Sequence, residues 1–324
     1  MPNPSPYNPL LNLVTDCLHQ LDYKSIHHAR LSVFNGIYGR LHEASYQGLS
    51  RAKTRVGGDV FVKWQLDSFN NGQTVDDDFK HDLQREIAVY KSLSPLSNAN
   101  PSPILSPIAT HHQQTASGQK FIALVLLYCP AGSVKQWLAS HQLSHDAKTT
   151  LIKAMAISLY QLHELGWVHG DIKPSNFLRV EQNGQVSVKL IDLSHAMLCD
   201  NSTANQPYQS NPTGTPAYLA PELWQGHSIS HASDVYAFGV TVFEILASKL
   251  PFTLMNEDSM NEVEKSQMWQ SSHGKEPIPA LPKAWQHWQT LLESMLAKQP
   301  NNRPNMRQVV QHIGKFGADF SANS

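Results

Sequence analysis

The sequence predicts an α+β fold in two lobes, strand-rich first and helical after. Three observations predict it. Before about residue 128, β-branched and aromatic runs such as Asp59-Val-Phe-Val-Lys-Trp64 and the stretch 121–127 read as strands. From 133 onward the apolar spacing is helical, longest over 147–165 and again over 235–246. Between the two lies a break at Ala131-Gly132.

Taken in order, the N-terminus carries four prolines in its first nine residues and reads as a disordered tail. Residues 10–21 have a helical apolar period and form an accessory helix. Residues 31–64 read as strands around a glycine turn: Leu31-Ser-Val-Phe34, then Asn35-Gly36-Ile37-Tyr38-Gly39, with a polar stretch over 46–58 expected to be a long hairpin connection. Residues 77–93 make a helix with Phe79, Leu83, Ile87 and Tyr90 on one face, and acidic residues at 76–78 favour its start. A Pro/Ser/Asn-rich loop spans 94–107. Past the break, a helix begins at Trp137-Leu138, and Gly166 ends the one over 147–165. Two short strands, 177–180 and 186–191, flank Asn183-Gly184.

Composition narrows the function classes. The 324 residues carry 25 Lys and Arg against 26 Asp and Glu, so whole-chain charge gives no argument for nucleic acid or an anionic membrane. The longest apolar run, 121–129, is nine residues, against the ~20 that a spanning helix needs. The N-terminus lacks the features of a signal peptide. Cys17, Cys129 and Cys199 fit neither a disulfide framework nor a zinc site. A cytoplasmic protein is expected. The pairs His27-His28 and His111-His112 have no Cys or carboxylate at ligand spacing and read as surface polar residues.

The chemistry is carried by motifs in a fixed order. His169-Gly170-Asp171-Ile172-Lys173-Pro174-Ser175-Asn176 is the strongest. Lys189-Leu-Ile-Asp192-Leu-Ser194 ends a strand. Gly214-Thr215-Pro-Ala-Tyr-Leu-Ala220-Pro221-Glu222 follows, then Ser233-Asp234-Val-Tyr-Ala-Phe-Gly239 and Arg303-Pro304. Upstream stand Val60-Phe61-Val62-Lys63 and Glu86. Together these resemble the eukaryotic-like (Hanks-type) serine/threonine protein kinase family, over roughly residues 31–315, with His-Gly-Asp for H-R-D and Asp-Leu-Ser for D-F-G.

The resemblance implies a two-lobed protein-kinase-like fold: a small, mainly antiparallel β lobe with one helix (about 31–128) and a larger, mainly helical lobe (about 133–315). Residues 1–30 would be an N-terminal extension and 316–324 a tail. It implies ATP and magnesium as cofactors and protein substrates with Ser/Thr acceptors. Asp171 would orient the acceptor hydroxyl, Lys173 would steady the γ-phosphate, and Asn176 and Asp192 would hold magnesium. Lys63 would contact the phosphates, with Glu86 as its helix partner. Gly36, Gly39 and Leu41 would cover the nucleotide; Leu126, Tyr128 and Cys129 would meet adenine at the hinge, with Leu178 beneath. Glu222 would pair with Arg303, and Asp234 would brace the catalytic loop. The alternatives are a pseudokinase scaffold and a small-molecule phosphotransferase, a class that also uses His-Gly-Asp.

Four departures matter. Gly170 replaces the arginine that a phosphorylated activation segment neutralises in the family, so activity independent of that phosphorylation is expected. Ser194 replaces the glycine of D-F-G, and is expected to restrict Asp192. Phe34 stands at the first loop glycine. Phe61 stands at the small residue above adenine, where a phenyl ring would crowd the purine unless the strand register is shifted.

Overall fold

The computed structural model describes residues 8–35, 44–67, 83–93, 102–182, 185–199, 214–255 and 257–316. It divides into two compact units: one holds the chain up to Pro95 together with 105–130, the other holds 96–104 and everything from Ala131.

The first unit is a five-stranded antiparallel sheet with a helix on each face. Its strands are β1 (Lys24–Asn35), β2 (Ala44–Lys53), β3 (Asp59–Asp67), β4 (Pro107–Gln114) and β5 (Lys120–Leu127), in the order β1-β2-β3-β5-β4. The helices are α1 (Asn8–Gln20) and α2 (Leu83–Leu93). β3 alternates: Val60, Val62, Trp64 and Leu66 are buried on one face, while Phe61 and Lys63 point to the other. The buried row packs with Val14, Cys17 and Leu18 of α1 and with Phe121, Ala123 and Val125 of β5. So α1 is part of the sheet's core, and the boundary expected at residue 31 falls inside β1.

The expected hairpin connection over 46–58 is a strand instead. β2 pairs with both neighbours along its length, and the turn is confined to 54–58. Its polar and small residues have reasons. A Cβ on Gly48 would lie 2.2 Å from the Trp64 indole. Ser50 accepts a hydrogen bond from the Trp64 indole N–H at 2.9 Å. The large ring on β3 dictates small partners on β2, which hides the strand from an apolar pattern. The accessory helix begins at Asn8, inside the expected tail. Residues 77–82 and the glycine turn with Gly36, Gly39 and Leu41 lie outside the described residues.

The second unit is mainly helical: α3 (Val134–Ser140), α4 (His145–Glu164), α5 (His231–Ala247), α6 (Glu262–Lys275), α7 (Gln289–Met295) and α8 (Met306–Phe316). Short strands lie among them: β6 (Trp167–Val168), β7 (Phe177–Gln182), β8 (Gln185–Leu190) and β9 (Met197–Leu198), paired β6-β9 and β7-β8. Helix α5 is buried almost end to end, with Val235 through Phe243 inside. It is capped reciprocally by Ser230 and Ser233. No described helix is long and apolar enough to cross a membrane.

Candidate active site

In the first unit the site residues share one sheet face. Directly opposed residues of antiparallel strands project to the same side, and Phe61 opposes Leu126 while Lys63 opposes Leu124. Lys63 Nζ donates to Glu86 Oε2 of α2 at 2.6 Å, and Glu86 is buried. Gln65, next on that face, fixes the helix start: its Oε1 accepts from the Leu83 N–H at 2.9 Å. The strand register is thus the expected one. Phe61 stands on the Lys63 face, edge-on to Tyr128 with ring centroids 5.1 Å apart. The Arg51 guanidinium lies over the Tyr128 ring at 4.1 Å. Cys129 is buried, and burial pushes its thiol up.

In the second unit the loop after β6 carries Asp171, which is 7 % exposed. Its carboxylate is crowded with donors. Lys173 Nζ reaches Oδ2 at 2.6 Å, and Asn176 Nδ2 reaches it at 3.0 Å. The Thr215 hydroxyl and N–H reach Oδ1 at 2.9 and 3.1 Å. Lys173 also donates to the Thr215 hydroxyl at 2.6 Å. Asn176 Nδ2 further donates to the Asp171 carbonyl, which turns Asn176 Oδ1 away from Asp171.

His169 ties this loop to Asp192. Its Nδ1 accepts from the Asp171 N–H at 3.3 Å, so Nε2 carries the proton and donates to the Ile191 carbonyl at 3.0 Å. The Ile191 N–H donates to the Asn176 carbonyl at 3.0 Å. Asn176 and Asp192 are therefore one residue apart across a backbone hydrogen bond. The contact between Ser194 and Asp192 is made by the side chain and not by a backbone constraint at Ser194. The left-handed residue is Asp192 itself, at φ 62°, a conformation that aspartate tolerates. Ser194 lies in the 3₁₀ turn Leu193–His195, where no glycine is required, and its hydroxyl donates to Asp192 Oδ1 at 2.9 Å.

Asp234, at the start of α5, is the second buried carboxylate under the loop. It accepts from the His169 N–H (2.7 Å), the Gly170 N–H (2.9 Å) and His163 Nε2 (3.0 Å). Burial opposes its ionisation, yet these donors, His163 first, hold its carboxyl below the usual range. Gly170 has φ +80°, and a Cβ there would meet Ile229 Cδ1 at 2.8 Å and the His195 carbonyl at 3.0 Å. The position is built for glycine. Glu222 and Arg303 form a bidentate pair at 2.6 and 2.7 Å. Arg303 also donates to the carbonyls of Ala232 and Ala297. Leu178 of β7 is half-buried and bridges to Ser133.

Residues that the sequence reading passed over include His163, His231 and Glu244, which accepts from the Tyr218 hydroxyl at 2.6 Å. Burial and that Glu244 contact push the Tyr218 phenol up, and burial pushes the Glu244 carboxyl up. Of the histidine pairs first read as surface polar residues, His28 and His111 hydrogen-bond inside the first unit, to Thr15 and Ser50 and to Tyr23. Among the described residues, no cluster of three or more His, Cys, Asp or Glu could hold a metal.

A sheet with a Lys–Glu pair, a His-Gly-Asp loop braced from a buried helix, and a Glu–Arg lock define the class of protein. The protein kinase domain family matches residues 69–313, and the chain belongs to that family. It is 29% identical over 213 residues to the serine/threonine-protein kinase ppk16 of Schizosaccharomyces pombe, covering 64% of this chain and 29% of that one. It is 32% identical over 192 residues to the serine/threonine-protein kinase RUNKEL of Arabidopsis thaliana, covering 58% and 13%. It is 28% identical over 181 residues to the serine/threonine-protein kinase Pkn1 of Myxococcus xanthus, covering 56% and 25%. The chain spans less than a third of the length of each of these relatives.

Proposed function

We propose that this chain is an ATP- and magnesium-dependent protein kinase of the cytoplasm that transfers the γ-phosphate to Ser/Thr hydroxyls of proteins. The observation that carries the reading is Asp171: a buried carboxylate held by Lys173 and Asn176 of its own motif and by Thr215 of the motif that ends in Glu222. In this reading Asp171 accepts the acceptor hydroxyl's proton, and Lys173, already at its carboxylate, balances charge at the transferred group. Lys63, fixed by Glu86, meets the phosphates. Gly36, Gly39 and Leu41 cover them, and Leu126, Tyr128, Cys129 and Leu178 bound the adenine. The kinase domain takes in α1 and the whole of β1 and runs to about residue 315.

Magnesium fits the donor set. Asn176 Oδ1 and the Asp192 carboxylate offer hard oxygens, and two protein ligands suit an ion that keeps water and phosphate oxygens in its shell. When bound, it would offset the phosphate charge. The glycine at 170, with no room for a Cβ, supports activity without a phosphorylated activation segment.

The test is phosphoryl transfer from labelled ATP with magnesium, alone and with a generic basic protein. Transfer is expected, and Asp171→Asn should lower it by about 10³-fold or more. Equal transfer by that variant would sink the assignment of Asp171. No transfer by wild type, with no nucleotide-induced thermal shift, would leave a scaffold. Transfer to small aminoalcohols alone would make it a small-molecule phosphotransferase.

A further inference from the structure

β3 carries Phe61, Lys63, Gln65 and Asp67 on one face, and β2 sets Gln47 opposite Gln65 and Ser45 opposite Asp67. The motif set accounts for Lys63 and assigns nothing to Gln65. Yet Gln65 is 6 % exposed, and its amide is used at both ends. Oε1 accepts from the Leu83 N–H at 2.9 Å and from Gln47 Nε2 at 3.0 Å. Nε2 donates to Asp67 Oδ1 at 2.9 Å and to Oδ2 at 3.2 Å. The Ser45 hydroxyl donates to Asp67 Oδ1 at 2.7 Å.

These partners leave the amide one orientation. A backbone N–H can only donate and a carboxylate can only accept, so the oxygen faces Leu83 and the nitrogen faces Asp67. Leu83 opens α2, where the first N–H groups of a helix have no partner within it. Glu86 lies three residues on, at the neighbouring position of the same helix face, and meets Lys63 at 2.6 Å. Lys63 and Gln65, two apart on the strand, thus hold α2 at two points one turn apart. The Lys63–Glu86 pair joins two flexible side chains and alone is compatible with more than one height of the helix. The bond to Gln65 grips the helix backbone itself. A further tie from β5, Lys120 Nζ to Gln84 Oε1 at 2.7 Å, is exposed and again joins two flexible side chains.

We propose that Gln65 is a positioning residue for the Lys63–Glu86 pair. It holds α2 at the height and rotation at which Glu86 meets Lys63, and it takes its own setting from Gln47 on β2 and from Asp67. The helix is seated by the sheet, through a polar ladder that runs from Ser45 to Leu83.

The inference rests on the kinase reading through the role of Lys63, and two measurements keep their failures apart. The first is kinetic. Gln65→Met keeps the side chain's length and loses both acceptor and donor. It should lower kcat/KM for ATP about tenfold, with KM for the protein acceptor unchanged. Gln65→Glu sets one carboxylate against another and should lose at least as much. Adding Asp67→Asn reverses the polarity of the link: the new carboxylate accepts from Leu83, Gln47 and the new amide, whose oxygen still accepts from Ser45. The double variant should recover most of the wild-type value. A Gln65 that served stability alone would leave kcat/KM per folded molecule unchanged. Wild-type kcat/KM in Gln65→Met, or a double variant no better than Gln65→Glu, overturns the proposal.

The second measurement needs no activity. Spin labels at Arg85→Cys on α2 and Val56→Cys in the β2–β3 turn, both exposed positions, report the helix against the sheet in a Cys199→Ser background. One narrow distance is expected with Gln65 in place, and a broadened or second distance with Gln65→Met. An unchanged distance overturns the proposal. Where Gln65→Met does not fold, Asp67→Asn takes its place: it frees the amide to turn, and should shift both readouts less but in the same direction. No shift in either overturns the proposal. Absence of phosphoryl transfer from wild type and every variant counts against the kinase reading alone, and the distances then decide.

Discussion

The β unit and the helical unit treat charge in opposite ways. In the β unit the ionic groups sit at the margins of an apolar sandwich. Arg51, Lys53 and Asp59 pair at the surface, and Lys63, its own side chain partly open, meets the buried Glu86 on the sheet face away from α1. What holds the sheet together is the row Val60, Val62, Trp64 and Leu66 against α1. In the helical unit the ionic groups are the framework. Asp171, Asp234, Glu222 and Arg303 are all buried, and each makes two or more hydrogen bonds. The difference teaches that fold and chemistry are separable in the β unit, on the two faces of one sheet. In the helical unit they share atoms.

The strongest way to break this comparison is Arg303→Met. It leaves Glu222 buried without its guanidinium, and should cost about 3–5 kcal/mol of stability, read by urea unfolding. The double variant Glu222→Leu with Arg303→Met should lose less than the single, since no charge is stranded. A single-variant loss under about 1 kcal/mol, no more than an exposed ion pair is worth, would remove the ionic framework from the account.

The apolar side is sharpened by Leu18→Ala. Leu18 is wholly buried where α1 meets the sheet. The truncation should cost about 2–4 kcal/mol and speed amide exchange in β3, with turnover per folded molecule unchanged. Unchanged exchange would mean that α1 is an appendage and not part of the core.

The same contrast decides what could be read in advance. The helical unit's site was legible because its residues come in short runs with fixed order: Asp171 and Asn176, Asp192, Glu222, Asp234 and Arg303 stand where the motifs put them. β3 and β5 were legible from their apolar and β-branched content. β2 was not, because Trp64 forces Gly48 and Ser50 on it and leaves a polar string. β4 was missed for a related reason: Pro107–Gln114 is an edge strand with only partial burial, so it shows no alternation of large apolar residues. At Ser194 the motif showed only a residue type; that the positive φ belongs to Asp192 and that the serine hydroxyl bonds its carboxylate needed the structure. His231 gave no signal at all, since the ring it packs against, His163, is brought to it only by the packing of α4 and α5.

The smallest effect tests a polar link inside the apolar sandwich. Trp64 Nε1–H can only donate, and it donates to Ser50 Oγ. The Thr15 hydroxyl donates to the Leu11 carbonyl at 2.8 Å. His28 lies between, 2.9 Å from Thr15 Oγ1 through Nε2 and 2.8 Å from Ser50 Oγ through Nδ1. With the Thr15 proton committed, His28 Nε2–H donates to Thr15, and Nδ1 accepts from Ser50. The ring is neutral and fully used. Thr15→Val removes one acceptor and should cost about 1 kcal/mol, seen as faster exchange of α1 amides. Burial holds His28 below its ordinary value, so the unfolded chain takes up the proton first as pH falls. The link's contribution is whole above about 6.5 and is lost progressively below it. Protonation would occur at Nδ1, the nitrogen that the Ser50 hydroxyl points at, and Ser50 must then turn away. Between pH 7.5 and 5.5 the protection of α1 should fall in wild type and fall less in His28→Gln. Equal falls in the two would place the acid sensitivity of α1 elsewhere than at His28.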